Sequence, residues 1–196
     1  MALSLVSGPA SEPLTTAEAK THLRVSTSDD DTYIGTLIKV ARRAAEHKTG
    51  RALLPQTWLM TVDDFPRERS RAFRLRRCPV TAVSWVKYYD TTGTLTTLSG
   101  DAYVVDMKTE PGRIAEAYSY CWPQVYPRIA GVTVQYVAGY ADAAAVPEGI
   151  KQWMLLRIGA LYENREEVQS EKGLTVAVEM PFMDSLLDDV CVPGVG

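Results

Sequence analysis

The chain has 196 residues, of which 46% are hydrophobic and 23% are charged, and its formal net charge is −3. These values predict an ordinary globular protein with one core, or a core and a satellite. No apolar run approaches the roughly 20 residues of a membrane helix, and residues 1–9 lack the pattern of a signal peptide. The sequence therefore predicts no membrane contact and synthesis in the cytoplasm. Cys78, Cys121 and Cys191 are too far apart for a disulfide framework and are predicted to be reduced thiols.

Two helices are predicted in the first part of the chain. Thr15 and Glu18 have the spacing of a capping box and predict a short helix that ends near Arg24. A longer helix follows, because three consecutive aspartates suit the positive end of a helix dipole and Gly50 is a suitable stop. Its apolar face is formed by Tyr33, Ile34, Leu37, Ile38, Ala41 and Ala45. The aspartates at 29–31 have an alternative role as ligands of a divalent cation, but no second oxygen-rich loop supports it.

From Gln56 the hydrophobic period changes from helical to alternating, which predicts strands. Trp58, Met60 and Val62 share one face of the first strand. Further candidate strands are residues 73–76, 80–89, 94–98, 103–106, 113–115 and 132–140. The turns between them are short, and short turns favour an antiparallel meander over a parallel sheet.

A third long helix is predicted to begin at Pro147. Its apolar surface is wide and includes Ile150, Trp153, Met154, Leu155, Leu156, Ile158, Leu161 and Tyr162. Such a helix is either central in its own domain or packs on a neighbouring subunit. Residues 174–178 alternate as in a strand, and a short helix begins at Pro181.

These elements predict an α+β fold in which a small α-helical bundle carries a large inserted antiparallel β-meander. The bundle has about four helices and takes them from both ends of the chain. Residues 1–55 are predicted to supply its N-terminal helices, residues 56–140 to form the inserted β region, and residues 141–196 to supply the C-terminal helices that complete one domain with 1–55.

The arginines between residues 67 and 77 are the strongest charge feature. This segment has a net charge of +5, and the rest of the chain is acidic. Its six arginines are Arg67, Arg69, Arg71, Arg74, Arg76 and Arg77. Phe73 and Leu75 alternate with Arg74 and Arg76, which predicts a strand with one apolar and one basic face. The segment either attracts nucleic acid or an acidic protein face, or is a solvated hairpin whose arginines pair with nearby acids.

The chain contains no recognisable catalytic motif. His22 and His47 are its only histidines, and neither stands in a zinc pattern or near an acid and a nucleophile at motif spacing. No glycine-rich phosphate loop follows a predicted strand, and no cofactor is implied. The sequence thus favours a structural or adaptor protein, although an active site assembled only in space stays an alternative.

Several short motifs stand in a specific order in both halves of the chain. In the first half they are Leu14-Thr15-x-x-Glu18-Ala19-Lys20-x-His22-Leu23-Arg24, Asp29-Asp30-Asp31-x-Tyr33-Ile34, Ala41-Arg42-Arg43 and Thr49-Gly50-Arg51-Ala52-Leu53. In the second half they are Trp122-Pro123, Tyr136-Val137-Ala138-Gly139-Tyr140, Val146-Pro147-x-x-Ile150-Lys151-Gln152 and Leu161-Tyr162-Glu163-Asn164-Arg165-Glu166. Together they resemble the head-tail connector (neck adaptor) proteins of long-tailed bacteriophages.

The resemblance implies a structural protein of the virion neck that has no catalytic residues and no cofactor. It implies a homo-oligomeric ring, twelve-fold in the virion, that lies beneath the capsid portal and extends the DNA channel. The implied partners are the portal protein, a downstream neck or tail-completion protein, and packaged DNA through non-specific contact.

In such a ring each predicted site has a role. Trp153, Leu156 and Tyr162 are expected in or directly behind the contact between subunits. The arginine segment is expected to meet DNA phosphates in the channel or carboxylates of the portal. Two alternatives from other classes are a free-standing nucleic-acid-binding module that uses residues 67–77, and an enzyme of unknown type.

Overall fold

The computed structural model describes residues 1–67, 72–164 and 181–192. They form helices α1 (Thr16–Leu23), α2 (Asp31–Thr49), α3 (Glu148–Glu163) and α4 (Pro181–Ser185), with short 3-10 helices at Gly100–Ala102 and Asp188–Val190. The strands are β1 (Ala2–Ser7), β2 (Gln56–Val62), β3 (Ala72–Arg74), β4 (Val80–Tyr89), β5 (Leu95–Thr97), β6 (Tyr103–Asp106), β7 (Arg113–Glu116) and β8 (Val132–Ala138). The predicted α+β class is confirmed. The predicted strand at 174–178 lies outside the described residues.

The chain divides into two units. A sheet unit comprises Met1–Ala10, Gly50–Ala141 and Val192–Gly196, and a helical unit comprises Ser11–Thr49 and Asp142–Cys191. Among the described helices, none combines the length and the apolar character that a membrane crossing requires.

The helices of the helical unit begin and end where their local signals predict. Glu18 N–H donates to the Thr15 hydroxyl at 3.2 Å and Thr15 N–H donates to the Glu18 carboxylate at 2.7 Å, which completes the capping box. The left-handed residue Arg24 (φ 57°) ends α1. Gly50, also left-handed at φ 71°, follows α2 and ends it.

The core of the helical unit is built from the predicted apolar faces. Helices α1, α2 and α3 contact one another, and α4 packs on α3. The buried residues of α2 include Ile34, Leu37, Ile38, Ala41 and Ala45, and those of α3 are Ile150, Trp153, Met154 and Ile158. The 3.6-residue period of both helices therefore identified their inner faces correctly.

The sheet unit contains two antiparallel sheets. The five-stranded sheet has the order β1-β2-β8-β4-β5 and the three-stranded sheet has the order β3-β7-β6. The antiparallel pairing is as predicted, but the order is not sequential, because β8 lies between β2 and β4. Strand β1 is an addition, since the sequence analysis predicts only helices for residues 1–55. Its side chains are nearly all exposed, so it carries no alternating pattern that would have indicated a half-buried strand.

The core of the sheet unit draws residues from both sheets. Met60, Val86 and Val134 of the larger sheet and Phe73 and Ile114 of the smaller sheet belong to one buried cluster. The long connection between β7 and β8 is anchored in this cluster by Trp122. The Trp122 ring stacks on Phe65 with centroids 4.7 Å apart.

Candidate functional site

The arginine segment has the two-faced arrangement that its alternation predicts. Phe73 and Leu75 are buried, with 6% and 0% of their surface exposed, while Arg74 and Arg76 are exposed. Within the described residues, neither Arg74 nor Arg76 forms an ion pair. These two guanidinium groups are thus held on an ordered backbone and remain available to anions.

Arg67 and Arg77 are engaged in contacts of their own. Arg67 forms an ion pair with Asp64, with 3.2 Å between Nε and Oδ2, and also donates to the Pro123 carbonyl. The Arg77 guanidinium lies 5.2 Å from the centroid of the Trp58 ring, within cation–π distance. Arg69 and Arg71 lie outside the described residues. Of the six predicted site residues, Arg74 and Arg76 are therefore the strongest candidates for an anionic partner.

The basic charges around Arg74 are mostly compensated. Arg113 lies directly opposite Arg74 in the β3–β7 pair and donates to Asp106 at 2.7 Å. This bond, together with bonds from Thr109, holds the pKa of Asp106 well below its usual range. Arg51 makes a two-fold contact with Glu110, at 2.8 and 2.5 Å. Within the described residues, Arg74 thus has no ion-pair partner, whereas Arg51 and Arg113 are paired.

Arg51 shows how strongly one of these pairs is held. Burial of its guanidinium is the largest single influence and lowers the pKa of Arg51. The hydrogen bond that Arg51 donates to Glu110, together with electrostatic contributions from Tyr140, Glu110 and Cys78, outweighs burial and raises that pKa above its usual value. A surface depression beside this pair is lined by Arg74, Thr109, Glu110, Pro111 and Arg113. These lining residues include no arrangement of acid, base and nucleophile.

The residues predicted at a subunit contact have different environments within the helical unit. Trp153 is buried, and its indole N–H donates to Asp184 Oδ1 at 3.3 Å. Lys48 also binds Asp184, and the bonds from Lys48 and Trp153 lower the pKa of that carboxyl. Leu156 is half-buried. Trp153 thus fixes α4 on α3 and can only lie behind a contact surface.

Tyr162 fastens the end of α3 to the start of α2. Its hydroxyl donates to the Asp30 carboxylate, and its ring centroid is 6.1 Å from that of Tyr33. Asp31 pairs with Lys20 at 2.7 Å, and Asp30 C=O accepts a bond from Ile34 N–H. Asp30 and Asp31 therefore lie at the start of α2 and bind neighbouring side chains. The described part of the chain contains no cluster of histidine, cysteine and carboxylate groups able to hold a metal ion.

The sequence analysis missed a basic face on α2. Lys39, Arg43 and His47 follow one another at four-residue spacing, and all three are exposed. Arg42, which directly precedes Arg43, is instead buried and donates hydrogen bonds to Glu12 at 2.7 Å and to Glu46 at 2.8 Å. The sequence shows the four-residue spacing, but it does not show which of the adjacent residues Arg42 and Arg43 is exposed.

The three cysteines differ in accessibility, which leads to a first prediction. Cys78 is buried, and burial raises the pKa of its thiol, whereas Cys121 and Cys191 are exposed. Because the thiolate is the reactive form, iodoacetamide at neutral pH is expected to modify Cys121 and Cys191 in the folded protein and Cys78 only after unfolding. Mass spectrometry of the alkylated protein measures this. Modification of Cys78 at the same rate as the other two, in folded protein, would contradict the buried position.

Comparisons with known proteins add the decisive information. Residues 14–75 match the family model of the phage gp6-like head-tail connector proteins. The resemblance found in the sequence motifs is thereby confirmed over α1, α2, β2 and β3. No curated protein sequence matches the chain.

Solved structures similar to this chain come from gene transfer agent (GTA) particles. The neck of an empty GTA particle, computed with C6 symmetry, contains a chain with a TM-score of 0.79 and 23% identity. A chain in the virion of a native GTA particle has a TM-score of 0.73, and one in the native neck computed with C12 symmetry has 0.71, each at 22% identity. Every alignment covers 98% of this chain and 96% of the other. The fold is therefore shared over nearly the full length, including the inserted sheets.

Proposed function

We propose that this chain is a structural neck protein of a tailed phage or a phage-like particle. Copies of it form a ring that joins the capsid portal to the tail and extends the DNA channel. The observation that carries the proposal is the likeness to GTA neck chains over 98% of the sequence. The connector family match at residues 14–75 supports it independently of the fold.

The proposed partners follow from this position. The ring is homo-oligomeric, which the C6 and C12 symmetries of the similar neck structures support. One face of the ring meets the portal protein, and the other meets a downstream neck or tail-completion protein. The site of action is the virion neck, and the protein works by assembly, with no catalytic step and no cofactor.

The two predicted sites keep their roles as part of the proposal. The arginine segment at 67–77 contacts DNA phosphates or portal carboxylates through Arg74 and Arg76, which are exposed and form no ion pair within the described residues. Tyr162 and Leu156 lie at or next to the contact between subunits, and Trp153 supports them from behind.

Electron microscopy tests the proposed function directly. We expect the purified protein at high concentration to form closed rings, and antibodies against it to label the neck of intact particles. A ring forms when each head-to-tail contact rotates the next copy until the circle closes. A protein that stays monomeric by light scattering at high concentration and is absent from necks would contradict the proposal. Monomers in dilute solution are compatible with it, since the portal can template the ring.

A further inference from the structure

The helical unit is acidic as a whole, which makes its basic face exceptional. Over Ser11–Thr49 and Asp142–Cys191 the sequence has 16 acidic residues and 10 lysines and arginines. Four of the eight lysines and arginines described in this unit are paired with a carboxylate, as in the pairs Lys20–Asp31 and Lys48–Asp184. On α2, however, Lys39 and Arg43 form no ion pair with any described residue.

The basic face of α2, defined as Lys39, Val40, Arg43 and His47, carries a single sign of charge. Its four residues are exposed, and Val40 retains 46% of its surface next to the two cations. The nearest acid on the helix, Glu46, is buried and binds Arg42. Like charges at four-residue spacing destabilise an isolated helix, so the pair Lys39 and Arg43 is unfavourable within α2, although the helix dipole favours His47 in the last turn.

The opposite charge is found at another place in the same unit, the acidic end. Asp29 and Glu163 stand next in sequence to Asp30 and Tyr162, whose side chains bind each other. Both are exposed, and the described residues offer neither of them a basic partner. The acidic end, defined as Asp29, Tyr162 and Glu163, thus combines two free carboxylates with a partly buried aromatic ring.

We infer that the basic face of α2 in one copy docks on the acidic end of the helical unit in the next copy. Opposite charges attract across the contact, while Val40 and the tyrosine provide the apolar centre that interfaces require. Two basic faces would repel each other, and so would two acidic ends. The separation of the charges therefore disfavours a two-fold dimer and favours the head-to-tail contact from which rings are built.

This inference rests on the proposed function and names the subunit contact of the ring. It is also the reason to place Tyr162 at the contact. The competing partner for the basic face is DNA, because lysine and arginine also bind phosphates. The test below separates the two.

Charge reversal on each side provides the central experiment. The first variant is Lys39→Glu with Arg43→Glu, and the second is Asp29→Lys with Glu163→Lys. In each variant the basic face and the acidic end carry charges of the same sign and repel each other. The affinity of self-association, measured by sedimentation velocity, is therefore expected to fall at least tenfold. An equimolar mixture restores opposite signs at every contact and is expected to associate within about threefold of the wild type. Association of the wild type should also weaken from about 0.05 M to about 0.5 M salt, because salt screens exposed charges.

Control variants carry the same change in charge at exposed positions outside both patches. Lys108→Glu with Arg157→Glu matches the first variant, and Asp188→Lys with Asp189→Lys matches the second. The controls are expected to associate as the wild type does. Circular dichroism of every variant shows that the helices are intact, so that a loss of association is not a loss of fold.

The outcomes distinguish the inference from the proposed function. Reversal variants that associate as well as the wild type, or a mixture that fails to recover, overturn the inference and leave the ring intact. Normal association of the Lys39→Glu, Arg43→Glu variant with a large loss of affinity for double-stranded DNA assigns the basic face to DNA and also overturns it. If the wild type is monomeric in solution, incorporation of the variants into necks is scored by the same criteria. A wild type that neither associates nor enters necks overturns the proposed function.

Discussion

Replacing Arg74 and Arg76 together with glutamate is expected to leave folding nearly intact and to reduce docking of the neck to DNA-filled heads. Both side chains are exposed, and the substitutions break no ion pair among the described residues. Two attractive charges become repulsive toward phosphates or portal carboxylates. Because each phosphate contact contributes strongly at low salt, affinity is expected to fall by about tenfold or more. Leakage of the packaged genome is the visible result.

The measurement compares particle assembly and retained DNA between wild type and variant. Lys108→Glu with Arg157→Glu changes the charge equally and serves as the control. The wild-type interaction should weaken with salt and be insensitive to base sequence, as expected for backbone contacts. Unchanged docking and full DNA retention in the double variant would return the arginines to the role of a solvated hairpin.

Replacing Arg42 with alanine is expected to give the largest loss of stability. Its guanidinium is buried between Glu12 and Glu46 and donates to both at 2.7 and 2.8 Å. The substitution removes the cation that the two carboxylates share. Removing one partner of a buried ion pair lowers the free energy of unfolding by about 3–5 kcal/mol, because the remaining charge stays buried without its partner. Urea unfolding followed by far-UV circular dichroism measures the change in the helices.

Arg43 is the matched control for this prediction. It is the next residue on the same helix, but it is exposed and has no ion pair in the described part of the chain. Arg43→Ala is expected to change the free energy of unfolding by no more than about 0.5 kcal/mol. Equal losses in the two variants would show that the buried ion pair does not determine the effect, since alanine itself has a high helix propensity.

Several features were predictable from sequence because their signals are local. The capping box of Thr15 and Glu18, the terminating Gly50 and the apolar period of α2 each depend on residues within a few positions of one another. The alternation from Phe73 to Arg76 likewise decided which side chains are buried. The order of motifs along the chain was sufficient to indicate the connector family.

Other features were decided only by tertiary structure, because their partners are distant in sequence. Strand β1 exists through pairing with β2, more than fifty residues away, and its own side chains are too exposed to indicate it. The bond from Tyr162 to Asp30 joins residues 132 positions apart. Adjacent and chemically identical, Arg42 and Arg43 differ because only Arg42 lies on the side of α2 that faces Glu12, from which it is separated by 30 positions. A local pattern identifies the faces of an element, but the free energy of a charged side chain depends on what lies opposite it, and only the folded chain determines that.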